Sequence, residues 1–215
     1  SPEMLGGRVK TLHPLVHGPI LARRHSADDM EALRGRGVGP IDLVAVTLYP
    51  FEERAGSLDE AGAVEEIDIG GVALLRAAAK NYADVTVVHD PARYDAVIAA
   101  LRSGGSTLAQ RREWALETFA RTARYDAAIA AEIGRRAGGG EAGVEAPPVH
   151  VVALERVRTL RYGENPHQSA ALYARIGDHG ALHALREGKE LSYNNLLDVE
   201  AAVRLAWSFW QPACV

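Results

Sequence analysis

The chain has almost no cysteine, no long apolar run and no lopsided charge, and each shortage closes off a class of function. Cys214 is the one cysteine among 215 residues, so no disulfide can form within the chain and no cysteine-rich zinc site can be built. A reducing, cytoplasmic setting accommodates that usage. No stretch approaches 18 consecutive apolar residues, which argues against a membrane span, and the opening residues do not read as a secretory signal. Lys and Arg number 24 against 28 Asp and Glu, a net charge of -4 that is well mixed along the chain. Without a basic stripe to neutralise phosphates in series, nucleic acid is not the expected partner. A small phosphorylated substrate needs only a few local cations or backbone amides. No internal repeat is evident. The chain opens on Ser1-Pro2-Glu3 rather than methionine and stops at Val215 after an apolar tail, so a piece of a longer protein is expected.

What is present is an ordinary globular balance, 47% hydrophobic and 24% charged. Ile41 to Leu48 reads as a buried strand, and Asp84 to Val88 as a second. Asp90 with Pro91 suits the start of a helix to about Leu101. Ser26 with Asp29, and Ser57 with Glu60, have capping-box spacing and are expected to open two more helices. Ser106 to Arg136 is the longest helical segment, with Thr118, Thr122, Tyr125, Ile129 and Ile133 as its inward stripe. Strands alternating with helices imply an α/β fold with a mainly parallel sheet. The glycines and prolines of Ala137 to Pro148 interrupt this pattern. We therefore expect a first domain over residues 1–137, an exposed connector over 138–149, and the start of a second domain over 150–215. Beyond the connector come a short apolar run (Val149 to Leu154), a turn-rich stretch (Arg161 to Ser169), and a helix from about Asn195 to Phe209 capped by Asn195 with Asp198 and followed by Pro212.

Three groups of residues could carry chemistry. Arg8, Val9, Lys10 and Thr11 place two cations and a hydroxyl within four residues, a compact anion-binding loop, although a short basic run is more often a solvated surface. His13 and His17 have the spacing of a helical metal pair, but Pro14 between them disfavours a helix, and a packed or capping histidine is the better reading. Asp68-Ile69-Gly70-Gly71 leads into a run of strong helix formers, so backbone amides there could meet an anion. Lys80 at the far end is ordinarily a solvated lysine that favours the helix dipole. Leu48-Tyr49-Pro50-Phe51 lies at the carboxyl end of a predicted strand, where open parallel sheets bind ligands.

Taken in order, these pieces resemble the family of bifunctional aminoimidazole-carboxamide-ribotide formyltransferases and inosinate cyclohydrolases. The carrying segments are GGRVKTLHP (Gly6 to Pro14), LYPF (Leu48 to Phe51), IDIGG (Ile67 to Gly71) and LLRAAAKN (Leu74 to Asn81). They continue with TARYDAAIA (Thr122 to Ala130), LRYGENPHQ (Leu160 to Gln168) and GKELSYNNLLDVEAA (Gly188 to Ala202). The resemblance implies a first domain of the methylglyoxal-synthase type, a parallel sheet flanked by helices, that closes the inosinate ring. A second α/β domain, of cytidine-deaminase type, would take a formyl group from 10-formyltetrahydrofolate as co-substrate. It implies Lys80 as proton donor and acceptor, Asp68 as its partner carboxylate, and Lys10 and Tyr49 as groups that polarise and position the substrate. Arg8, Val9, Lys10, Thr11, Val46, Thr47, Asp68 and Ile69 would line the nucleotide pocket. Arg161 and Tyr162 match the ribotide-binding pair of the second domain, with His167 and Asn195 in neighbouring segments. No metal is implied; the expected partners are small ribonucleotides and a second copy of the chain. If one helix spans Asp68 to Lys80, its rise of roughly 18 Å is too long for a shared proton.

The chain departs from that family at Thr47, where asparagine is usual, at Leu15, usually basic, at Pro19, usually glycine, and at Arg121, usually histidine. The lysine–histidine pair of formyl transfer and a glycine-rich phosphate loop lie outside these residues in the family. Two other readings follow: a nucleotide-binding fragment that has lost turnover, and a stand-alone synthase-like enzyme, against which LRYGENPHQ and GKELSYNN speak.

Overall fold

A run rich in small and apolar residues, Gly70–Lys80 (α5), packs against both a two-stranded parallel sheet and a 30-residue helix in a computed structural model of the chain. The structure describes Leu5, residues 8–137, Val149, residues 151–176 and residues 190–211. It divides into two compact units, Ser1–His150 and Val151–Val215. Apart from Val149, the expected connector 138–149 lies outside the described residues, as does Pro212.

The first unit runs α1 (Pro14–Leu21), α2 (Ala27–Arg34), β1 (Leu43–Ala45), α3 (Phe51–Arg54), α4 (Glu60–Glu65), α5, β2 (Thr86–Val88), α6 (Tyr94–Arg102) and α7 (Leu108–Ala137). Strands β1 and β2 pair in parallel, Val44 opposite Val87. All three residues of β2 are buried, as expected. In β1 only Val44 is; Leu43 and Ala45 are exposed. The expected eight-residue buried strand is thus three residues long. The chain before it is held elsewhere, because the Ile41 amide bonds the Pro19 carbonyl and the Ile41 carbonyl takes the Arg24 guanidinium. Among the described residues β1 has β2 as its one ladder neighbour.

Ala77, Ala78 and Ala79 let α5 approach the sheet closely, and Leu75, Val85, Val87, Phe51 and Tyr125 complete a core with no exposure above 8%. Along α7, Thr118, Thr122 and Tyr125 are fully buried and Ile129 packs against the core, but Ile133 is more than half exposed. A 30-residue helix is about 45 Å long, and its last turns outrun the core.

The caps divide likewise. Ser26 accepts the Asp29 amide as expected. Ser57 does not open a helix: it lies in a 3-10 turn and donates to the Arg54 carbonyl, while Asp59 caps α4 by accepting the Gly62 amide. Asp90 caps a 3-10 turn at Pro91–Arg93 that leads into α6. Thr107 and Gln110 form a reciprocal cap on α7 that the sequence reading missed. Pro14 does not prevent a helix at the two histidines. It sits in the first turn of α1, where its missing N–H costs nothing, and His13 caps the helix by accepting the Leu15 amide.

The second unit consists of β3 (Leu154–Leu160), β4 (Ala170–Arg175) and α8 (Tyr193–Ala206). Strand β3 begins at Leu154, the last residue of the apolar run, and pairs antiparallel with β4. A register shift between Arg156 and Arg158 breaks the alternation that would have marked β3 in the sequence. Asn195 is not the cap of α8. Ser192, buried, takes that place, and Asn195 completes the box by accepting the Ser192 amide at 3.0 Å. No helix among the described residues is long and apolar enough to cross a membrane.

Candidate active site at the start of α5

Two of the expected segments, Arg8–Thr11 and Asp68–Ile69, meet at the first turn of α5. The Asp68 carboxylate accepts the Gly71 amide at 2.7 Å and so satisfies one of the donors a helix start leaves open. A negative charge there also meets the positive end of the helix dipole. The fit is close: a Cβ on Gly71 would lie 2.4 Å from Asp68 Oδ2, so an alanine there would push the carboxylate aside. A Cβ on Gly70 would lie 2.8 Å from Thr11 Oγ1. The last residue of the Arg8–Thr11 group therefore touches the glycine pair, although 59 positions separate Thr11 from Gly70 in the chain.

The expected site residues of the first unit are mostly open to solvent. Ile69 and Tyr49 are more than half exposed, Lys10 and Thr47 are exposed, and Val9 and Val46 are half-buried. Arg8 pairs with Glu65 at 3.1 Å, both side chains exposed, so the pair is worth little in stability and leaves Arg8 able to exchange partners. Tyr49 follows β1 by four residues, past the bond from the Val46 amide to the Val88 carbonyl. Its near neighbour Phe51 is buried, and the Phe51 ring meets Tyr125 edge to face at 6.0 Å. The Tyr125 hydroxyl in turn accepts the Asp68 amide at 2.8 Å and donates to the Glu66 carbonyl at 3.2 Å. The sequence reading placed Tyr125 on the inward stripe of α7 and gave it no part in the site; nothing in the spacing signals where its hydroxyl goes.

Arg121, one turn before Tyr125, lies over the ring at 5.4 Å and bonds Glu52 at 2.6 Å. Burial pushes the Glu52 carboxyl up, but the Arg121 hydrogen bond, a backbone hydrogen bond and the charges of Arg121 and Arg124 outweigh it, and the net direction is down. Burial also raises the Tyr125 hydroxyl and keeps it a neutral donor. At the end of β2, burial holds His89 below the ordinary imidazole range against the opposing charges of Asp90 and Glu117.

Lys80 is not part of this gathering. The helix starts at Gly70 and ends at Lys80, an exposed residue in its last turn. Ten residues of rise separate the two ends by roughly 15 Å, so Asp68 and Lys80 of one chain cannot pass one proton between them. Asn81, next to Lys80, is buried and donates to the carbonyls of Ile20 and Ala22. An open cavity of about 220 Å³ between α4 and the end of α7 is lined by apolar Phe51, Val64, Ile67 and Ile133 and by charged Glu60, Glu132 and Arg136, and by none of the expected site residues.

In the second unit the Arg161 guanidinium bonds the Tyr162 hydroxyl at 2.9 Å and lies over its ring. Arg161 is exposed and Tyr162 half-buried, positioned by the bonds from the Arg161 amide to Leu191 and from the Tyr193 amide to Tyr162. His167 is an exposed turn residue and Asn195 serves the α8 cap. Among the described residues, no group of three or more His, Cys, Asp and Glu side chains is arranged to hold a metal ion.

Comparison with known proteins places these motifs in one family. The family model of the AICARFT/IMPCHase bienzyme matches residues 78–215. The bifunctional purine biosynthesis protein PurH of Listeria monocytogenes is 48% identical over the whole of this chain, and that of Persephonella marina 46% identical. The chain spans 42% of the length of each. The crystal structure of ForH superposes with a TM-score of 0.55 at 38% identity, over 62% of this chain and 71% of that one. With α/β architecture, parallel strands and the ordered motifs all in agreement, the chain belongs to the AICARFT/IMPCHase bienzyme family.

Proposed function

We propose that this chain carries the ring-closing site of a purine-biosynthesis enzyme and part of a formyl-transfer site. In this reading residues 1–137 form a cyclohydrolase domain of the methylglyoxal-synthase type and residues 138–149 a connector. Residues 150–215 begin a cytidine-deaminase-like transformylase domain. The first domain converts 5-formamidoimidazole-4-carboxamide ribotide to inosinate. The carboxamide nitrogen attacks the formyl carbon, the nitrogen gives up a proton to a base, and the former formyl oxygen is protonated and leaves as water. The complete protein would also move the formyl group from 10-formyltetrahydrofolate to the ribotide amine. It would act in the cytoplasm, as a homodimer.

The observation that carries the reading is the contact of Thr11 with Gly70 beside the Asp68 carboxylate, which joins two segments that separately could each be mere surface or mere cap. Arg8, Lys10 and Thr11 would hold the ribotide phosphate, with Val9, Val46, Thr47 and Ile69 along the nucleotide. Tyr49 and Lys10 would polarise the formyl group. Lys80 would move the proton. Since α5 keeps Lys80 from sharing a proton with the Asp68 of its own chain, the two would act on different parts of the ligand. In the second domain Arg161 and Tyr162 would hold the ribotide, with His167 and Asn195 nearby.

Ring closure is followed directly by the absorbance of inosinate when purified chain is given the formylated ribotide. Nucleotide binding without turnover would leave the alternative, a nucleotide-binding chain that does not itself catalyse. Mixing Asp68→Ala with Lys80→Ala chains tests that placement: turnover should stay lost, and its return would mean that the two groups act across copies.

A further inference from the structure

The entry to α5 is held from below by a residue that no reading of the motifs had placed in the site. Asp68 needs its carboxylate aimed at the first turn of α5, and its backbone sits in a short bend between α4 and α5. Two side chains could set that bend. Arg54 pairs with the Glu66 carboxylate at 3.1 Å, but Arg54 is largely exposed and such a pair exchanges readily with water. Tyr125 is different: its ring has no exposure, and its hydroxyl takes the Asp68 amide at 2.8 Å while giving its own proton to the Glu66 carbonyl at 3.2 Å. One buried oxygen thus ties both ends of the Glu66-Ile67-Asp68 turn, and both of its hydrogen-bonding roles are used.

The ring is fixed on two sides. Phe51 meets its edge at an interplanar angle of 69°, and the Arg121 guanidinium covers its face at 5.4 Å. Arg121 cannot swing away without giving up Glu52, to which it makes two bonds at 2.6 and 3.3 Å. Arg124 adds a second cation to Glu52 at 3.6 Å. The chain from Glu52 on α3, through Arg121 and Tyr125 on α7, to Asp68 at α5 is continuous.

We propose that Tyr125 is a positioning residue for Asp68, held in place by the Arg121–Glu52 pair, and that it fixes the carboxylate at the start of α5 without touching substrate. The proposal rests on the reading of Asp68 as part of the cyclohydrolase site. It makes the phenol oxygen, rather than the ring, the functional part of Tyr125.

The experiment is Tyr125→Phe in the full chain, which deletes one oxygen and keeps the packed ring, read by amide hydrogen exchange and by steady-state ring closure. Loss of both hydrogen bonds should speed exchange of the Asp68 amide roughly tenfold, while amides of β2 and the middle of α7 stay within about twofold. In turnover, kcat should fall about tenfold with KM for the formylated ribotide within about twofold, since the phosphate contacts are untouched. Unchanged exchange at Asp68, or equal acceleration throughout the first unit, overturns the proposal, as does a loss expressed in KM alone. If the native chain closes no ring, the cyclohydrolase reading fails while the exchange result still decides whether Tyr125 positions Asp68. Should Tyr125→Phe not fold, Arg121→Gln carries the test: selective acceleration at Asp68 with the hydroxyl still present supports the clamp, and its absence refutes it.

Discussion

Replacing Asn81 with alanine should cost the first unit about 3–4 kcal/mol, a large share of a typical domain's stability. The Asn81 side-chain amide is buried and gives its two N–H groups to the Ile20 carbonyl at 2.9 Å and the Ala22 carbonyl at 3.1 Å. It thereby ties the end of α1 to the end of α5. Ala22 keeps a second donor, Arg24 Nη1 at 2.8 Å, so the loss falls mainly on Ile20. Two net hydrogen bonds at about 1 kcal/mol each, plus about 1–2 kcal/mol for one carbonyl left dry, give the estimate. Asn81→Asp should be at least as damaging, because it sets a carboxylate oxygen against a carbonyl. For a unit of this size the melting temperature should drop by roughly 5–15 °C. Buried Trp114 reports the first unit by fluorescence once the exposed Trp207 and Trp210 are changed to Phe. A midpoint for Asn81→Ala within about 1 kcal/mol of the parent would show that the two carbonyls find other donors and would refute the reasoning.

Three further outcomes are expected. Gly71→Ala forces the Asp68 carboxylate away from its 2.4 Å clash. The lost cap, about 1 kcal/mol, is offset by the similar gain of alanine over glycine in a helix, so stability should hold in urea while ring closure falls at least about tenfold; retained turnover would separate Asp68 from the chemistry. Lys80→Ala should lower ring closure by about 10²–10⁴-fold with the urea midpoint within about 0.5 kcal/mol, and near-normal turnover would return Lys80 to the role of helix-end cation. His89, held by burial below its ordinary value, binds its proton more readily when unfolded. Its contribution to stability is therefore present above about pH 6.5 and is lost as the pH falls toward its lower folded value, so His89→Gln should flatten the pH dependence of the urea midpoint between pH 7 and 5; parallel profiles would exclude it.

How much of this was legible in advance differs from element to element. Ser26 with Asp29, Asp90 with Pro91, and the buried stripe Thr118, Thr122 and Tyr125 follow from spacing, because a cap and a helical face are local consequences of neighbouring residues. Ser57 and Asn195 do not cap because an equally capable acceptor stands two or three residues away, Asp59 in one case and Ser192 in the other. Local scoring of one box does not weigh it against the next. Strand β3 stayed hidden because its bulge shifts the two-residue period on which strand reading depends.

The sequence by itself determined the family, since uncommon segments in a fixed order need no coordinates to be recognised, and it determined the α/β alternation through apolar periodicity. Only the tertiary structure decided which of those segments meet. Thr11 against Gly70, and the Tyr125 hydroxyl beneath Asp68, are contacts between residues 59 and 57 positions apart. The same structure parted Asp68 from Lys80, which stand only 12 apart in the chain. A rigid helix turns a short sequence separation into a long fixed distance, whereas packing of α7 under α5 brings distant positions to within a hydrogen bond.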